Sequence, residues 1–315
     1  MKNFCFKTEQ TIRLDEFLRK NLSLQISNEN FSNSKLRRLI LAGAVFVNGK
    51  QIRRPAFELR GKSTVCVEYD EEKFFYEKQP DDIQFELTEK DVLFEDEYLI
   101  VVNKPAFFPV EQTITGQRDN LHDAVVRYLW NKNKSLRNPP YCGIMHRLDR
   151  ETSGVILFTK QRCVNTQIHQ MFENHDFKKL YIAVCATTKN VNYKKGQKFT
   201  IQKDIGRISS KTQKAKWGSL SKQKGGLDSK TEFEILNKFC KNNLNYFVVQ
   251  ADLFTGRTHQ IRVHLSEEGL PLLGDTLYGG VQSERIMLHA NLLQFIHPQT
   301  KEELKISAPV PFILE

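Results

Sequence analysis

The sequence lacks several features that would place it in common classes of protein. No run of apolar residues approaches the length of a membrane span, and charged residues interrupt the N-terminus at Lys2, Lys7, Arg13 and Asp15. We therefore predict neither a membrane helix nor a secretory signal. The cysteines form no C-x-x-C pair. This scatter predicts small buried thiols in a reducing cytoplasm, with neither a disulfide framework nor a structural zinc site. The six cysteines are Cys5, Cys66, Cys142, Cys163, Cys185 and Cys240.

The composition that is present indicates an ordinary globular protein with an excess of positive charge. Of 315 residues, 40% are hydrophobic and 27% are charged, and 22 Phe with 9 Tyr provide ample surface to bury. This length fits one large domain with a small one. The formal net charge is +10. Such an excess favours a polyanionic partner, since Lys and Arg release counterions when they neutralise phosphates, although it also keeps unrelated proteins in solution.

Residues 11–69 have a pattern of their own. Val45-Phe46-Val47 predicts a short strand, Asn48-Gly49 a hairpin turn and Val65-Cys66-Val67 a closing strand. The charged segment 70–91, which contains Pro80, predicts a linker. Apolar residues at helical spacing predict one helix through Leu14, Phe17, Leu18 and Leu22, and a second, following Ser34, through Leu36, Leu39 and Ile40.

Two segments of this region resemble the S4 domain, a small RNA-binding module. They are RLDEFL at residues 13–18 and SKLRRLILAGAVFVNGKQI at residues 34–52. Ser32-Asn33 departs from the Ser-Arg that family members usually carry before the second helix. A solvated basic helix without a partner is the alternative interpretation. The resemblance implies a basic face for duplex RNA made of Arg13, Lys35, Arg37, Arg38 and Lys50.

From about Phe94 the pattern changes to short strands separated by turns and occasional helices. Lysines crowd the segment 189–230, which predicts a long hairpin or an insertion that is locally mobile and contacts RNA. Apolar patterning predicts strands at 99–102, 154–158, 181–184 and 245–253, and helices at 121–130, at 164–172 and after Thr258 as N-cap.

The central motif is HRLDRETSG, residues 146–154, followed by the apolar strand VILF. It places Asp149 between Arg147 and Arg150, and such neighbouring cations hold a carboxylate ionised. A lone Asp in a loop is usually a cap or turn residue, so the charge pattern alone does not assign catalysis. The nine residues resemble, without a break, the signature of the RluA-like pseudouridine synthases. That resemblance implies that Asp149 is the catalytic aspartate.

The same resemblance extends to further site residues. Tyr181 in KKLYIAV is similar to the tyrosine that stacks on the target base. Arg147 would enter the RNA where the flipped base had been, with a phosphate contact or a surface salt bridge as the alternative. Within TGRTHQIRVHLSEEGLPLLGDTLYGG, residues 255–280, Arg262 would pair with Asp149 and Arg257 would support the site or a phosphate. Phe107 stands where the family commonly has glycine, so we expect that loop to differ.

The implied reaction breaks the bond between N1 of uracil and C1′ and joins C5 to the same carbon, which requires neither a metal nor an organic cofactor. Asp149 would act as nucleophile or as base, and the sequence does not choose between them. Glu151 is interpreted as a solvated or capping residue. A metal site is not predicted, because neither H-x-x-x-H nor a Cys/His cluster is present. The histidines considered for it are His146, His259, His264 and His289.

Together these features predict an α+β protein. Residues 1–72 would form an S4-like domain, 73–90 a linker and 91–315 a catalytic domain with a bent, mainly antiparallel sheet and a central cleft. The favoured partner is 23S rRNA, with tRNA as the other RNA; DNA and membranes are not expected, and a monomer suffices. The rival functions are a non-catalytic RNA-binding or ribosome-assembly factor and an RNA hydrolase that uses Asp149 with a histidine or a metal.

Overall fold

The computed structural model describes residues 2–25, 33–69, 81–112, 118–209 and 215–312. These residues form two compact units. The first, the N-terminal unit, contains Met1–Pro80 with the short stretches Gln112–Arg118 and Ser210–Lys214, and the second, the large unit, contains the rest. Within the described residues, every helix is too short or too polar to cross a membrane.

The N-terminal unit encloses a core between two helices and a small antiparallel sheet. The helices are α1 (Leu14–Gln25) and α2 (Asn33–Leu41), and the strands of the sheet follow the order β1-β6-β3-β4. The helical prediction is confirmed, because each apolar residue that defined it is at most 7% exposed. The strands are β1 (Lys2–Lys7), β2 (Ile12–Arg13), β3 (Val45–Val47), β4 (Lys50–Ile52), β5 (Glu58–Leu59) and β6 (Thr64–Tyr69), with β2 paired to β5.

The Asn48-Gly49 turn is confirmed as the connection of a two-residue hairpin. Val47 pairs with Lys50, and Asn48 and Gly49 have φ of 48° and 78°. Positive φ at both central residues is typical of the type I′ turn, whose twist matches that of the strands it joins. The predicted linker follows this unit, and its residues 70–80 lie outside the described part of the chain.

The cysteine prediction is wrong at two places. Cys5 and Cys66 form a disulfide, with their Cα atoms 4.1 Å apart. They are 61 residues apart in sequence, but the antiparallel register of β1 and β6 sets them directly opposite each other. The second departure is the exposure of Cys163 and Cys240, whereas Cys142 and Cys185 are buried as expected. Strand register, which sequence spacing does not show, decides the pairing.

The large unit is built on a mixed sheet whose described pairings are antiparallel except for that of β10 with β16. The order is β13-β12-β14-β15-β11-β16-β10-β8-β7, with β17 paired to β16 and β9 to β10. The mainly antiparallel character is as predicted. The strands are β7 (Val92–Glu95), β8 (Leu99–Lys104), β9 (Gly143–Ile144), β10 (Ser153–Thr159), β11 (Lys178–Thr187), β12 (Lys198–Arg207), β13 (Trp217–Ser219), β14 (Leu227–Lys241), β15 (Leu244–Leu253), β16 (Leu288–Ile296) and β17 (Glu303–Ser307).

The helices of this unit lie close to their predicted positions. They are α3 (Leu121–Lys132), α4 (Asn165–Glu173) and α5 (Gln260–Glu267). The side chain of Asn120 caps α3 by accepting a hydrogen bond from the backbone N–H of Asp123 at 3.0 Å. The prediction that Thr258 caps the last helix is wrong, because the N-cap of α5 is His259.

The lysine-rich segment 189–230 forms regular structure. The prediction of a hairpin is confirmed, because β12 pairs with β14 from Lys198↔Glu234 to Ile205↔Leu227. The segment is part of the main sheet, since β12, β13 and β14 are strands of it. Its residues 210–214 lie outside the described part of the chain. Abundant lysine concealed the alternation Lys198–Arg207, in which Ile201 and Ile205 face the core.

Candidate active site

Asp149 lies in the turn between β9 and β10. The backbone N–H of Thr152 donates to the carbonyl oxygen of Asp149 at 3.1 Å and closes this turn. Directly after it, Gly154 has φ of 117°, and a Cβ there would lie 2.1 Å from the carbonyl oxygen of Ala290 in β16. Only glycine permits so close a backbone approach. The glycine of the motif therefore lets β10 pair with β16 and fixes the turn that carries Asp149.

Arg262 faces Asp149 from α5 but has a closer partner. Its Nη1 atom is 3.8 Å from Oδ2 of Asp149. Its Nε and Nη2 donate to the two carboxylate oxygens of Asp275 at 2.7 and 2.9 Å, in a buried bidentate pair. Burial alone would lower the pKa of Arg262, but Asp275 and then Asp149 raise it. Sequence reasoning missed Asp275, although it lies within the second motif, because nothing in its spacing indicates this contact.

Tyr181 lies on β11 and lines one pocket together with Asp149 and Arg262. The residue is 8% exposed. Burial raises the pKa of its phenol, and the negative charge of Asp149 raises it further. The ring is therefore a neutral phenol beside a carboxylate. The pocket is otherwise lined by Arg147, Leu148, Thr152, Leu253, Gly256, Arg257, His259, Gln260, Ile261 and Leu288.

The residues at the start of α5 line the pocket and have an unusual backbone conformation. His259 adopts a left-handed conformation, with φ of 56°, and its Nδ1 is 2.8 Å from the hydroxyl of Tyr278. Burial lowers the pKa of His259. The side chain of Gln260 accepts from the backbone N–H of Arg257 at 3.0 Å and from the hydroxyl of Thr255 at 2.7 Å. These bonds stabilise the irregular segment that leads from β15 to Arg262.

Lys104, at the end of β8, was not singled out from the sequence. It is fully buried, and its ammonium group donates to the carbonyl oxygens of Pro105, Phe108 and Arg150 at 2.9, 2.7 and 3.0 Å. Burial lowers the pKa of Lys104 to about 7, against an opposing effect of Glu151 and Asp149. The contact with the carbonyl of Arg150 ties the Asp149 turn to the loop after β8.

The side chain of Arg150 also has several close partners. Its guanidinium lies 2.9 Å from both Asp81 and Asp82 and 3.2 Å from Glu151. Glu151, interpreted from the sequence as a solvated or capping residue, is half-buried beside Arg150, with 27% of its side chain exposed. Burial alone would raise the pKa of Glu151, but the charge of Arg150 leaves it lowered. These three carboxylates thus fix the position of Arg150, the residue that follows Asp149.

Phe107 does not behave as expected. Its φ is 62°, the left-handed conformation that glycine adopts freely, so the loop retains a glycine-like backbone despite the phenylalanine. The Arg150 guanidinium lies over the ring of Phe107, 5.4 Å from its centroid. This cation–π contact offsets part of the unfavourable backbone conformation.

Arg147 and Arg257 lie at the exposed rim of the pocket. Arg147 forms an ion pair with Glu111 and has 65% of its side chain exposed. Arg257 donates through Nε to the carbonyl of Asp228 at 3.0 Å. Both guanidinium groups are thus accessible beside Asp149, without a buried carboxylate of their own among the contacts described.

The five basic residues predicted near the N-terminus belong to the N-terminal unit. Arg13 forms an ion pair with Asp15 at 2.8 Å, next to α1. Arg37 and Lys50 are exposed, and Lys35 and Arg38 are half-buried. They are therefore present on the surface of that unit rather than in its core.

The histidines considered for a metal site have structural partners. Nε2 of His146 accepts from the backbone N–H of Leu157 at 3.0 Å, and burial lowers its pKa to about 3. Nδ1 of His289 lies 2.8 Å from the hydroxyl of Ser153, and His264 lies 3.0 Å from that of Thr231. Burial lowers the pKa of both to about 4. Among the described residues, no three His, Cys, Asp or Glu side chains are grouped to hold a metal ion.

Known proteins are similar in sequence to this chain over most of its length. YhcT of Bacillus subtilis (strain 168), named an uncharacterized RNA pseudouridine synthase, is 36% identical over 72% of this chain and 70% of its own. Ribosomal large subunit pseudouridine synthase D of Vibrio cholerae is 31% identical over 90% of this chain and 84% of its own. Human RNA pseudouridylate synthase domain containing 1 has a TM-score of 0.56 at 25% identity, covering 71% of this chain and 84% of that structure.

A protein family described as RNA pseudouridylate synthase matches residues 98–267. This stretch is more than half of the chain, and it contains the turn of Asp149, the strand of Tyr181 and the helix of Arg262. The chain therefore belongs to the RNA pseudouridylate synthase family of enzymes.

Proposed function

We propose that this protein converts specific uridines in structured RNA to pseudouridine, with Asp149 as its essential carboxylate. The observation that supports this most directly is the meeting of Asp149, Tyr181 and Arg262 in one pocket. Leu148, Leu253, Ile261 and Leu288 line it beside polar residues, and these apolar side chains suit the faces of a planar base. The family to which the chain belongs makes this chemistry the natural expectation for such a pocket.

In the proposed reaction, the bond between N1 of uracil and C1′ of the ribose breaks, the uracil turns, and C5 bonds to C1′. The proton of C5 is lost and N1 gains a proton, so the product is an isomer of the substrate. Asp149 serves either as a nucleophile towards the sugar or the base, or as a base in an elimination route. Both roles need an ionised carboxylate, and the guanidinium of Arg262 lies 3.8 Å from that of Asp149.

Tyr181 and Arg147 would act on the position of the uracil. A uracil in folded RNA must leave its stack before Asp149 can reach it. The neutral ring of Tyr181 would stack on the flipped base, an interaction worth about 1–3 kcal/mol. Arg147, at the rim, would fill the gap left in the RNA, and for this it must leave Glu111. Arg257 would contact a phosphate.

We propose 23S rRNA as the substrate. Support comes from the relative in Vibrio cholerae, whose name assigns it to the large ribosomal subunit. tRNA is the alternative. We further propose membership of the RluA-like branch, on the unbroken HRLDRETSG motif.

The N-terminal unit would add affinity for the RNA. We propose that residues 1–72 form an S4-like RNA-binding domain, 73–90 a linker and 91–315 the catalytic domain of a cytoplasmic protein. The exposed or half-buried basic side chains of the N-terminal unit support this role, because surface cations neutralise phosphates. They are Arg13, Lys35, Arg37, Arg38 and Lys50.

The test is pseudouridine mapping of total RNA from cells with the wild-type protein, without it, and with Asp149→Ala. We expect defined uridines of 23S rRNA to lose modification in both defective strains. Asp176→Ala, which removes an exposed carboxylate on the segment between α4 and β11, is the matched control and should leave modification unchanged.

The other outcomes each reject one part of the proposal. If Asp149→Ala leaves every site modified while deletion removes some, Asp149 is not the catalytic carboxylate. If tRNA uridines alone lose modification, the rRNA assignment is wrong. If deletion changes no site, a non-catalytic RNA-binding role replaces the enzymatic one.

A further inference from the structure

A group of exposed lysines lies near the end of β14 and in the loop before β12, away from the pocket. It consists of Lys194, Lys195 and Lys238, here called the distal lysine cluster. We propose that this cluster binds phosphates of the substrate RNA that flank the target nucleotide. The inference rests on the proposed function and adds a second contact surface within the large unit.

The sheet register places Lys238 on the same face as the pocket. Tyr181 and Cys185 are four residues apart on β11, so their side chains share a face. Cys185 is opposite Phe247 in β15, and Phe247 is opposite Lys238 in β14. Directly opposed residues of antiparallel strands project to the same side. Lys238 therefore lies about 13 Å along the strands and about 10 Å across them from Tyr181.

Hydrogen bonds fix the remaining part of the cluster to this end of the sheet. The backbone N–H of Gly196 donates to the carbonyl of Ile235 at 2.7 Å, and that of Ile235 donates to Gln197 at 3.0 Å. The ammonium group of Lys238 lies 3.4 Å from the carbonyl of Tyr193. The loop that carries Lys194 and Lys195 is thus held beside Lys238, so their charges act on one area of surface.

The cluster carries its positive charge on exposed side chains. Among the residues that the structure describes, the ammonium groups of Lys194, Lys195 and Lys238 have no carboxylate within ion-pair distance, and that of Lys238 contacts the carbonyl of Tyr193. Nearby Glu234 is paired with Lys198 at 3.4 Å, and Glu268 accepts from the hydroxyl of Tyr193 at 3.3 Å. Exposed lysines without counter-charges attract a polyanion. RNA is favoured over an acidic protein because the cluster shares the face of the pocket that would bind the target base.

The test compares two triple variants of the full chain that remove the same charge. The first is Lys194→Gln, Lys195→Gln and Lys238→Gln. The control is Lys90→Gln, Lys134→Gln and Lys305→Gln, which replaces exposed lysines outside strands β11 to β15. The probe is unmodified 23S rRNA transcribed in vitro, and the measurements are Kd as a function of salt and the single-turnover rate at saturating RNA.

We expect the first variant to bind about tenfold more weakly or worse near 0.15 M salt, with a log–log salt slope shallower by about 2. Its rate at saturating RNA should equal that of the wild type, as should its thermal midpoint. The control should keep most of the wild-type affinity and slope.

Equal losses in both variants would overturn the proposal, because they would reflect net charge alone. Unchanged affinity in the first variant would overturn it too, and would leave an acidic protein as the partner to seek. If the wild type forms no pseudouridine in this RNA while the first variant still loses affinity selectively, the proposed function fails and the RNA-binding surface stands.

Discussion

The two sides of the pocket are held in place by different kinds of interaction. On one side, the buried ammonium of Lys104 holds the carbonyl of Arg150 and two further carbonyl oxygens. On the other, the buried guanidinium of Arg262 is held by the carboxylate of Asp275 through two bonds. Both are cations removed from water, yet burial lowers the pKa of Lys104 while the net shift of Arg262 is upward.

The difference shows what compensates for burying a charge. A carbonyl is a dipole, so three of them offset only part of the lost hydration of an ammonium group. A carboxylate carries a full opposite charge and offsets much more at the same distance. The Arg262 side of the pocket therefore keeps its cation at any ordinary pH, whereas the Lys104 side can lose its proton.

The largest effect is expected where a full charge is left unpaired. Asp275→Asn removes the bidentate partner of Arg262, and removal of one member of a buried ion pair typically costs about 3–5 kcal/mol. Chemical denaturation should show a corresponding fall in the free energy of unfolding. Pairing it with Arg262→Gln should restore part of the stability but not the activity, because Asp149 then lacks its cation. A single Asp275→Asn variant with wild-type stability would contradict this account.

An intermediate effect, dependent on pH, is expected at Lys104. Its pKa is about 7 in the folded chain against an ordinary value of 10.5. Between these values the unfolded chain binds a proton that the folded chain has released, so stability should rise with pH from about 7 to 10. Lys104→Met keeps the length of the side chain and removes this titration. At pH 7 it also leaves three carbonyl oxygens without their donor, at about 1–3 kcal/mol.

The measurement is the difference in the free energy of unfolding between wild type and Lys104→Met at several pH values. We expect that difference to increase in favour of the wild type as pH rises through this window. A constant difference would mean that the three carbonyls keep Lys104 charged throughout, and would remove the contrast with Arg262.

The smallest effect is expected at Phe107, where two contributions oppose each other. Phe107→Gly relieves a left-handed backbone that costs a non-glycine residue about 1–2 kcal/mol. It also removes the ring beneath Arg150, worth about 0.5–1 kcal/mol, and some packing. The free energy of unfolding should therefore change by no more than about 1 kcal/mol, as judged by denaturant titration. A loss above about 2 kcal/mol would show that the ring is a principal support of the Asp149 turn.

Much of the local structure could be predicted because it depends on neighbouring residues. Leu14, Leu18 and Leu22 recur at helical spacing, and they fill the core beneath α1. Asn48-Gly49 can adopt positive φ at two successive positions, which selects a tight hairpin. The HRLDRETSG motif likewise singled out Asp149 and led to the family.

Contacts between distant segments could not be predicted in this way. Asp81 and Asp82 meet Arg150 across nearly seventy residues, and Cys5 meets Cys66 through strand register. Spacing along the chain contains no information about either contact. The segment 189–230 was harder to interpret for another reason, since many of its lysines lie between the strands and obscure the alternation of buried and exposed residues in β12 and β14.

Local sequence patterns were sufficient to predict helices, turns and the family motif, because each depends on side chains within a few residues of one another. Which groups compensate each buried charge could be read only from the folded protein. Folding brings Asp275 next to Arg262 as its closest partner, whereas it brings only carbonyl oxygens to the ammonium group of Lys104. The physical reason is that the energy of a buried charge depends on the groups that folding places around it, and these come from distant parts of the chain.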